Sequence, residues 1–471
     1  MTRSLRLLAT LIIGGLVTLG VFADQRVREL EVPVVPTVLG TPHVSVGTWF
    51  CAGGSAETGI AAVGLELVNV GGQDAAVEVI AVRDDQIGEE RVEVVAPALS
   101  RTVVNLLELA PEASWVGAIV ETGGADVFVE QTFDGLSGTD RAPCATNTAS
   151  SLFAADGATR ILAEGEEMVL LLMNPFREDA VVDVRFDADV GLDSLEAVVV
   201  PARRVLAIDV TTEVTVAARV QTSVEVISGR LVGHRLQVRN GASLRGLAVT
   251  PMIQRGSAVS VLPSVRSDFG VFDRIIVTNP SNDEVAEVDL EIVTDGSVTL
   301  DPVELTVRPG RTATIEVATE SRLAALGGFA VVARSLTGTP VAVGLERQVS
   351  FTSEIVPGTS AMPAVDSGAY RWALPLDGNQ PMIDVVNPST TAIATVDIVV
   401  VTSAGRSVAQ SFELGPGRWQ RIDGESFGER AVVVVEASTP VVAGRELTGF
   451  TSRQLLGGVA LVDPVALDQV D

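Results

Sequence analysis

Three short landmarks recur four times in the same order along this chain, so whatever it folds into has to be built four times over. The first is an apolar run ending in Asn: Leu65–Gly71 (LELVNVG), Leu170–Phe176 (LLLMNPF), Ile275–Ser281 (IIVTNPS) and Ile383–Ser389 (IDVVNPS). Its asparagines, Asn69, Asn174, Asn279 and Asn387, are separated by 105, 105 and 108 residues. The second is a Pro turn leading to Arg, 27–30 residues after each Asn: Pro97 with Arg101, Pro201 with Arg203, Pro309 with Arg311, Pro416 with Arg418. The third is a late strand, read as VFVEQTF from Val127, RLVGHRL from Arg230, PVAVGLER from Pro340 and PVVAGREL from Pro440.

Within a repeat the hydrophobic period is two. Alternation is clean in Ala76-Val77-Glu78-Val79 and in Glu287–Ile292, and Ala394–Val401 is a β-branched run. Turn residues separate the runs: Gly71-Gly72, Asp295-Gly296, Pro309-Gly310 and Pro416-Gly417. About six to eight short strands per repeat, without a helical pattern longer than two turns, predict an all-β fold of tandem immunoglobulin-like β-sandwich modules. The alternative is a β-propeller in which each repeat supplies two blades. The modules are expected at 46–147, 148–262, 263–362 and 363–471, the last ending in a short acidic tail. Aromatic residues make up only 4% of the chain, so the cores must be built from Val, Leu, Ile and Ala.

Ahead of the repeats lies a different kind of segment. Arg3 and Arg6 precede an uncharged apolar run from Leu7 to Ala23, and charge resumes at Asp24. That order predicts export, with an N-terminal hydrophobic helix over 1–23 and a linker over 24–45. Val21-Phe22-Ala23 also suits a signal peptidase, so a retained single-pass anchor and a cleaved signal peptide are both open readings. After export, Cys51 and Cys144, the two cysteines of the chain, are expected to form a disulfide around the first module.

Charge narrows the partners. Every cation is an arginine, and 33 of them face 60 carboxylates, a net charge of −27 that disfavours nucleic acid. No catalytic constellation stands out: His43 and His234 lie in no shared motif, and there is no G-x-S-x-G elbow, P-loop or dinucleotide fingerprint. No enzyme activity and no cofactor are expected. The cation to consider is calcium, from Asp187, Asp189 and Asp193, with looser clusters at Asp84-Asp85 with Glu89-Glu90 and at Asp134 with Asp140. The repeated Asn-Pro step reads as a strand end closed by local backbone bonds, and the repeated Arg as the partner of a neighbouring carboxylate. Trp49, Phe153, Phe269 and Trp372 each precede a first landmark and read as core or junction packing. Trp49 and Trp372 are also the candidate ligand platform.

The apolar N-terminal segment, the Trp49-Phe50-Cys51-x-Gly-Gly motif, the later Cys144 and the repeated N-P-x strands resemble an actinobacterial family of exported proteins, domain of unknown function 5719. The resemblance implies export and no particular chemistry. The expectation is therefore a non-catalytic, extracytoplasmic envelope protein, a scaffold or binding module for a protein or a cell-wall glycan. A carbohydrate-active enzyme and a lectin-like sugar-binding protein are the alternatives.

Overall fold

The Asn landmark anchors each repeat. Its buried side-chain amide donates to two backbone carbonyls: Asn69 to Gln73 and Ala96, Asn174 to Glu178 and Val200, Asn279 to Glu284 and Val307, Asn387 to Ala392 and Leu414. Its Oδ1 accepts from the N–H two residues on, at Gly71, Phe176, Ser281 and Ser389. One side chain thus fastens a strand end, the turn after it and the end of a distant strand, and no ligand is needed to explain it.

A computed structural model describes residues 47–470, apart from 57–59, 86–89, 156, 242–243, 297, 299, 325, 351–357, 378, 429, 449–452, 458 and 461–463. The expected apolar segment and linker lie outside the described residues. Among the described residues no helix is long and apolar enough to cross a membrane.

The strands fall into four successive sets. Module one holds β1 (Thr48–Ser55), β2 (Ala62–Asn69), β3 (Ala75–Arg83), β4 (Glu90–Ala96), β5 (Ser100–Asn105), β6 (Trp115–Glu121), β7 (Val127–Gly135) and β8 (Gly138–Pro143). Module two holds β9 (Ser151–Ala154), β10 (Glu167–Asn174), β11 (Ala180–Ala188), β12 (Gly191–Val200), β13 (Arg204–Asp209), β14 (Val220–Ser228), β15 (Val232–Asn240) and β16 (Arg245–Pro251). Module three holds β17 (Val259–Arg266), β18 (Val271–Thr278), β19 (Ala286–Val293), β20 (Val303–Val307), β21 (Thr312–Glu316), β22 (Gly328–Ser335), β23 (Ala342–Val349) and β24 (Gly358–Pro363). Module four holds β25 (Ser367–Pro375), β26 (Asn379–Asn387), β27 (Ala394–Thr402), β28 (Gly405–Leu414), β29 (Arg418–Asp423), β30 (Val432–Thr448) and β31 (Arg453–Gly457).

Each set divides in one way. A first sheet runs β4-β3-β6-β1, then β12-β11-β14-β9, β20-β19-β22-β17 and β28-β27-β30-β25. A second runs β5-β2-β7-β8, then β13-β10-β15-β16, β21-β18-β23-β24 and β29-β26-β30-β31. The long β30 serves both sheets of its module, where the others use two strands. In modules two and three the strands alternate between two separate antiparallel sheets; in module one the parallel bridge Ser55–Ala62 between β1 and β2 joins the two halves, and in module four β30 does. This is a sandwich-like pairing and not the sequential four-strand meander of a propeller blade. The cysteines are joined, and Cys51–Cys144 secures β1 to the segment after β8 beside the backbone bridge Phe50–Ala145. Modules two and three have the same bridge, Phe153–Ile253 and Val261–Val365, without a covalent link.

The four modules close on one another. The first sheet of each faces the second sheet of the next, and module four returns to module one. Strands β8, β16, β24 and β31 meet in that same cyclic order at the centre. The approach there is close: a Cβ on Gly246 of β16 would lie 2.6 Å from the Thr359 nitrogen of β24. Inner strands are therefore covered on both faces. That is why Leu170–Met173 and Val432–Val435, all buried, read as unbroken apolar runs, while the edge strands β4, β12 and β28 alternate or are exposed.

One correction concerns the second landmark. Strand register sets Ser100, Arg204, Arg311 and Arg418 opposite the four asparagines, so Arg101 is one residue too late and Arg203 one too early to be equivalent. The turn needs a left-handed residue first, and Leu99, Arg203, Gly310 and Gly417 take that position.

Candidate functional site

The four seams between modules differ in chemistry, and one side-chain row per seam displays the difference. Each first sheet presents three register-aligned residues from its third, sixth and first strands. In module one they are Ile80, Ile119 and Phe50; in module four, Val399, Val434 and Ala373; in module three, Glu291, Val332 and Val261. In module two they are Arg185, Ser223 and Phe153.

The first two rows close their seams, as do Val332 and Val261 of the third, whose Glu291 is half-buried and pairs with Arg334. One continuous apolar cluster runs from module four through the core of module one to Val169, Leu171 and Met173 of module two. A second joins Val261 and Val332 of module three to Val386, Trp419 and Val442 of module four. The cores of modules two and three are separate, and no apolar cluster among the described residues joins them.

A groove occupies that place instead. It has a volume of about 610 Å³, with Arg185, Ser223 and Phe153 on its floor and the Asn279–Pro280 and Gly310 turns of module three as its far wall. A recess of about 200 Å³ adjoins it through Asp187 and Gln221 and is walled by Arg274, Thr312 and Glu346. The contacts spanning this seam are polar. Arg219 donates to Thr314 Oγ1 at 3.0 Å, Arg311 meets Asp187 at 3.4 Å, and the Thr312 hydroxyl donates to Gln221 Oε1. The far end of the floor carries exposed Glu196 and Glu225.

Arg185 differs from the cations of the adjoining recess. Arg219, Arg274 and Arg311 each meet a carboxylate, whereas Arg185 is exposed and has no hydrogen-bond or ion-pair partner among the described residues. The carboxylates two residues to either side of it are engaged elsewhere. Asp183 accepts from the Ala197 N–H at 2.8 Å, and Asp187 faces Arg311.

Buried carboxylates elsewhere are fasteners of the closed seams. Between modules four and one, Glu66 lies among Arg101 and Arg141, which also grip Asp377, while Glu130 receives Arg445 at 2.6 and 2.7 Å. Burial pushes the Glu66 carboxyl up, but Arg101 and Arg141 outweigh it and hold it at about 2. At the seam of modules three and four, Asp273 pairs with Arg347 and Asp384 with Arg421 within their own modules, and Glu446 reaches across to Arg266. At the first seam, burial drives Asp140 up to about 7, although the Val249 N–H donates to it, and holds His234 down at about 4.

The expected ligand platform is corrected. Trp49 and Trp372 are each 2% exposed. Trp49 lies in the apolar cluster of module one, and Trp372 donates its indole N–H to the Val441 carbonyl. Neither ring face is open to a ligand, because first strands are covered on both sides. Of the other two aromatics, Phe269 is 90% exposed and Phe153, half-buried, reaches the groove. The acidic run places Asp187 against Arg311 and Asp193 near the Thr215 N–H. Among the described residues no group of three or more His, Cys, Asp or Glu side chains is arranged to hold a metal ion. Sequence reading passed over Arg185 and Ser223, although lining up the repeats sets Arg185 beside Ile80, Glu291 and Val399 as the one cation of its column.

No protein-family model matches the chain, and no curated protein matches it, so the resemblance drawn above rests on its motifs.

Proposed function

We propose that this chain is a non-catalytic, extracytoplasmic envelope protein, that its modules are immunoglobulin-like sandwiches, and that it binds a cell-wall glycan in the groove between modules two and three. The observation that carries this reading is the contrast among the seams: a polar groove stands where the equivalent rows elsewhere are packed shut. Its floor is a flat strand face bearing a hydroxyl, a guanidinium and one aromatic ring. A sugar chain presents hydroxyls that such groups hydrogen-bond and a C–H face that lies against an aromatic ring, and clefts between modules are where ligands collect. A fixed ring of modules around the groove suits a protein that holds its ligand without turning it over.

The test is co-sedimentation of the full-length protein with insoluble cell-wall material, followed by analysis of soluble products. The same measurement on Ser223→Trp, which fills the floor, gives the comparison. Retention of the wild type, loss of retention in the variant and no released sugar or peptide are expected. Retention unchanged by Ser223→Trp overturns the groove as the site, and released fragments overturn the non-catalytic reading.

A further inference from the structure

We infer that the sugar unit held in this groove is an acidic one, its carboxylate taken by the Arg185 guanidinium while its ring lies towards Phe153. The inference rests on the groove reading above and adds the chemistry of the ligand. Around this seam Arg219, Arg274 and Arg311 each have a carboxylate partner, so an arginine on the groove floor without one stands apart from its neighbours. Arg185 is such a cation, and the reason is local. On its own strand Asp183 is committed to the Ala197 N–H and Asp187 to the Arg311 side of the groove.

The guanidinium fork is directed into a space that a ligand can enter. Across the groove the Gly310 turn carries no side chain, and a Cβ built there would lie 3.6 Å from an Arg185 terminal nitrogen. The floor row Arg185–Ser223–Phe153 crosses three neighbouring strands, so the Cα atoms that carry cation and ring are about 10 Å apart with a serine between them. A planar, bidentate donor at one end, a hydroxyl in the middle and an aromatic face at the other end match a carboxylate-bearing saccharide. Arginine is the side chain whose geometry selects carboxylate in this way. The acidic far end, Glu196 and Glu225, repels a second anion and fixes the polarity with which the ligand lies. A neutral glycan would offer the guanidinium only hydroxyl oxygens and no carboxylate, and a polyanion running the whole length would meet the carboxylates at the far end.

Calorimetric titration of the full-length protein tests this with the disaccharide of N-acetylglucosamine and N-acetylmuramic acid and with the methyl ester of the same compound. The wild type should bind the acid at least tenfold more tightly than the ester, with a preference that shrinks as salt is raised. Arg185→Gln should bring the two affinities to within twofold, weakening the acid far more than the ester, and Arg185→Lys should restore part of the preference. Equal affinities in the wild type, or a preference that survives Arg185→Gln, overturns the carboxylate inference while leaving the groove in place. Binding of both compounds undiminished in Ser223→Trp overturns the groove reading itself.

Discussion

The seam between modules one and two and the seam between modules two and three occupy the same place in the repeat and are built from opposite materials. In the first, Ile80 and Ile119 belong to one buried apolar cluster with Val169, Leu171 and Met173. In the second, Arg185 and Ser223 lie on the floor of a groove whose far wall is the Asn279–Pro280 and Gly310 turns. Backbone, register and Asn anchor are shared, so what distinguishes the two is a handful of side chains on one face of one sheet. A fourfold repeat that closes on itself needs all four seams for shape, and three closed seams leave the fourth free to carry polar groups. The contact at the centre, where β16 lies against β24, keeps that fourth seam together while its outer part opens.

The strongest way to break this comparison is to strand a charge in a closed seam. Glu130→Ala removes the partner of the fully buried Arg445 and should cost about 3–5 kcal/mol, read as a fall in the chemical unfolding midpoint. A loss under about 1 kcal/mol would mean that the four–one seam admits water, as the groove does.

Next in size is the apolar row. Ile80→Ala should cost about 2–5 kcal/mol, because its 2% exposure leaves the cavity nothing to refill it. Denaturant titration at constant slope checks it, and a near-neutral result would place the weight of that seam elsewhere.

Acid separates the closed seams from one another. Glu66 is held at about 2 against an ordinary 4.5, so its contribution is complete above 4.5 and is lost as the pH falls towards 2. The upper limit is on the order of 3 kcal/mol. At the one–two seam two groups oppose each other. His234, held at about 4, loses stability as the pH falls from 6.5 to 4; Asp140, raised to about 7, loses it as the pH rises from 3.8 to 7. The contributions of these two groups should therefore nearly cancel from pH 4 to 6.5. Asp140→Asn, which keeps an acceptor for the Val249 N–H, should unmask a rise of more than 1 kcal/mol across that interval. Thermal melts at half-unit steps would show it, and a flat profile in the variant would remove His234 from the account.

Much of this architecture was legible in the sequence. The Asn landmark, the Pro turns and period-two alternation are local signals, and local hydrogen bonds at Asn69, Asn174, Asn279 and Asn387 are what they encode. The disulfide followed from two cysteines in an expected oxidising compartment. The site was not legible, because its signal lies between repeats and not within one. Trp49 and Trp372 drew attention as large aromatics, but aromatic identity does not report which faces of a strand are covered. Arg101 and Arg311 were readable as carboxylate partners, and Arg101 does pair with Glu66 of its own module, yet Asp377 and Asp187 come from neighbouring modules, and only the closed arrangement brings them near.

The smallest expected effect is the most discriminating. Arg185→Ile puts into module two the side chain type that module one has at Ile80, and it should change folding stability by less than about 0.5 kcal/mol, because the position is exposed. The same substitution should abolish any preference for the acidic ligand, so stability and binding part company at one residue. At Ile80 the two cannot be separated, since a side chain that seals a seam is part of the fold. A loss above about 2 kcal/mol in Arg185→Ile would make Arg185 a structural member of its seam, and the groove would then be a packing feature of the ring. Unfolding curves of the two variants, measured side by side, decide between those descriptions of one position in two modules.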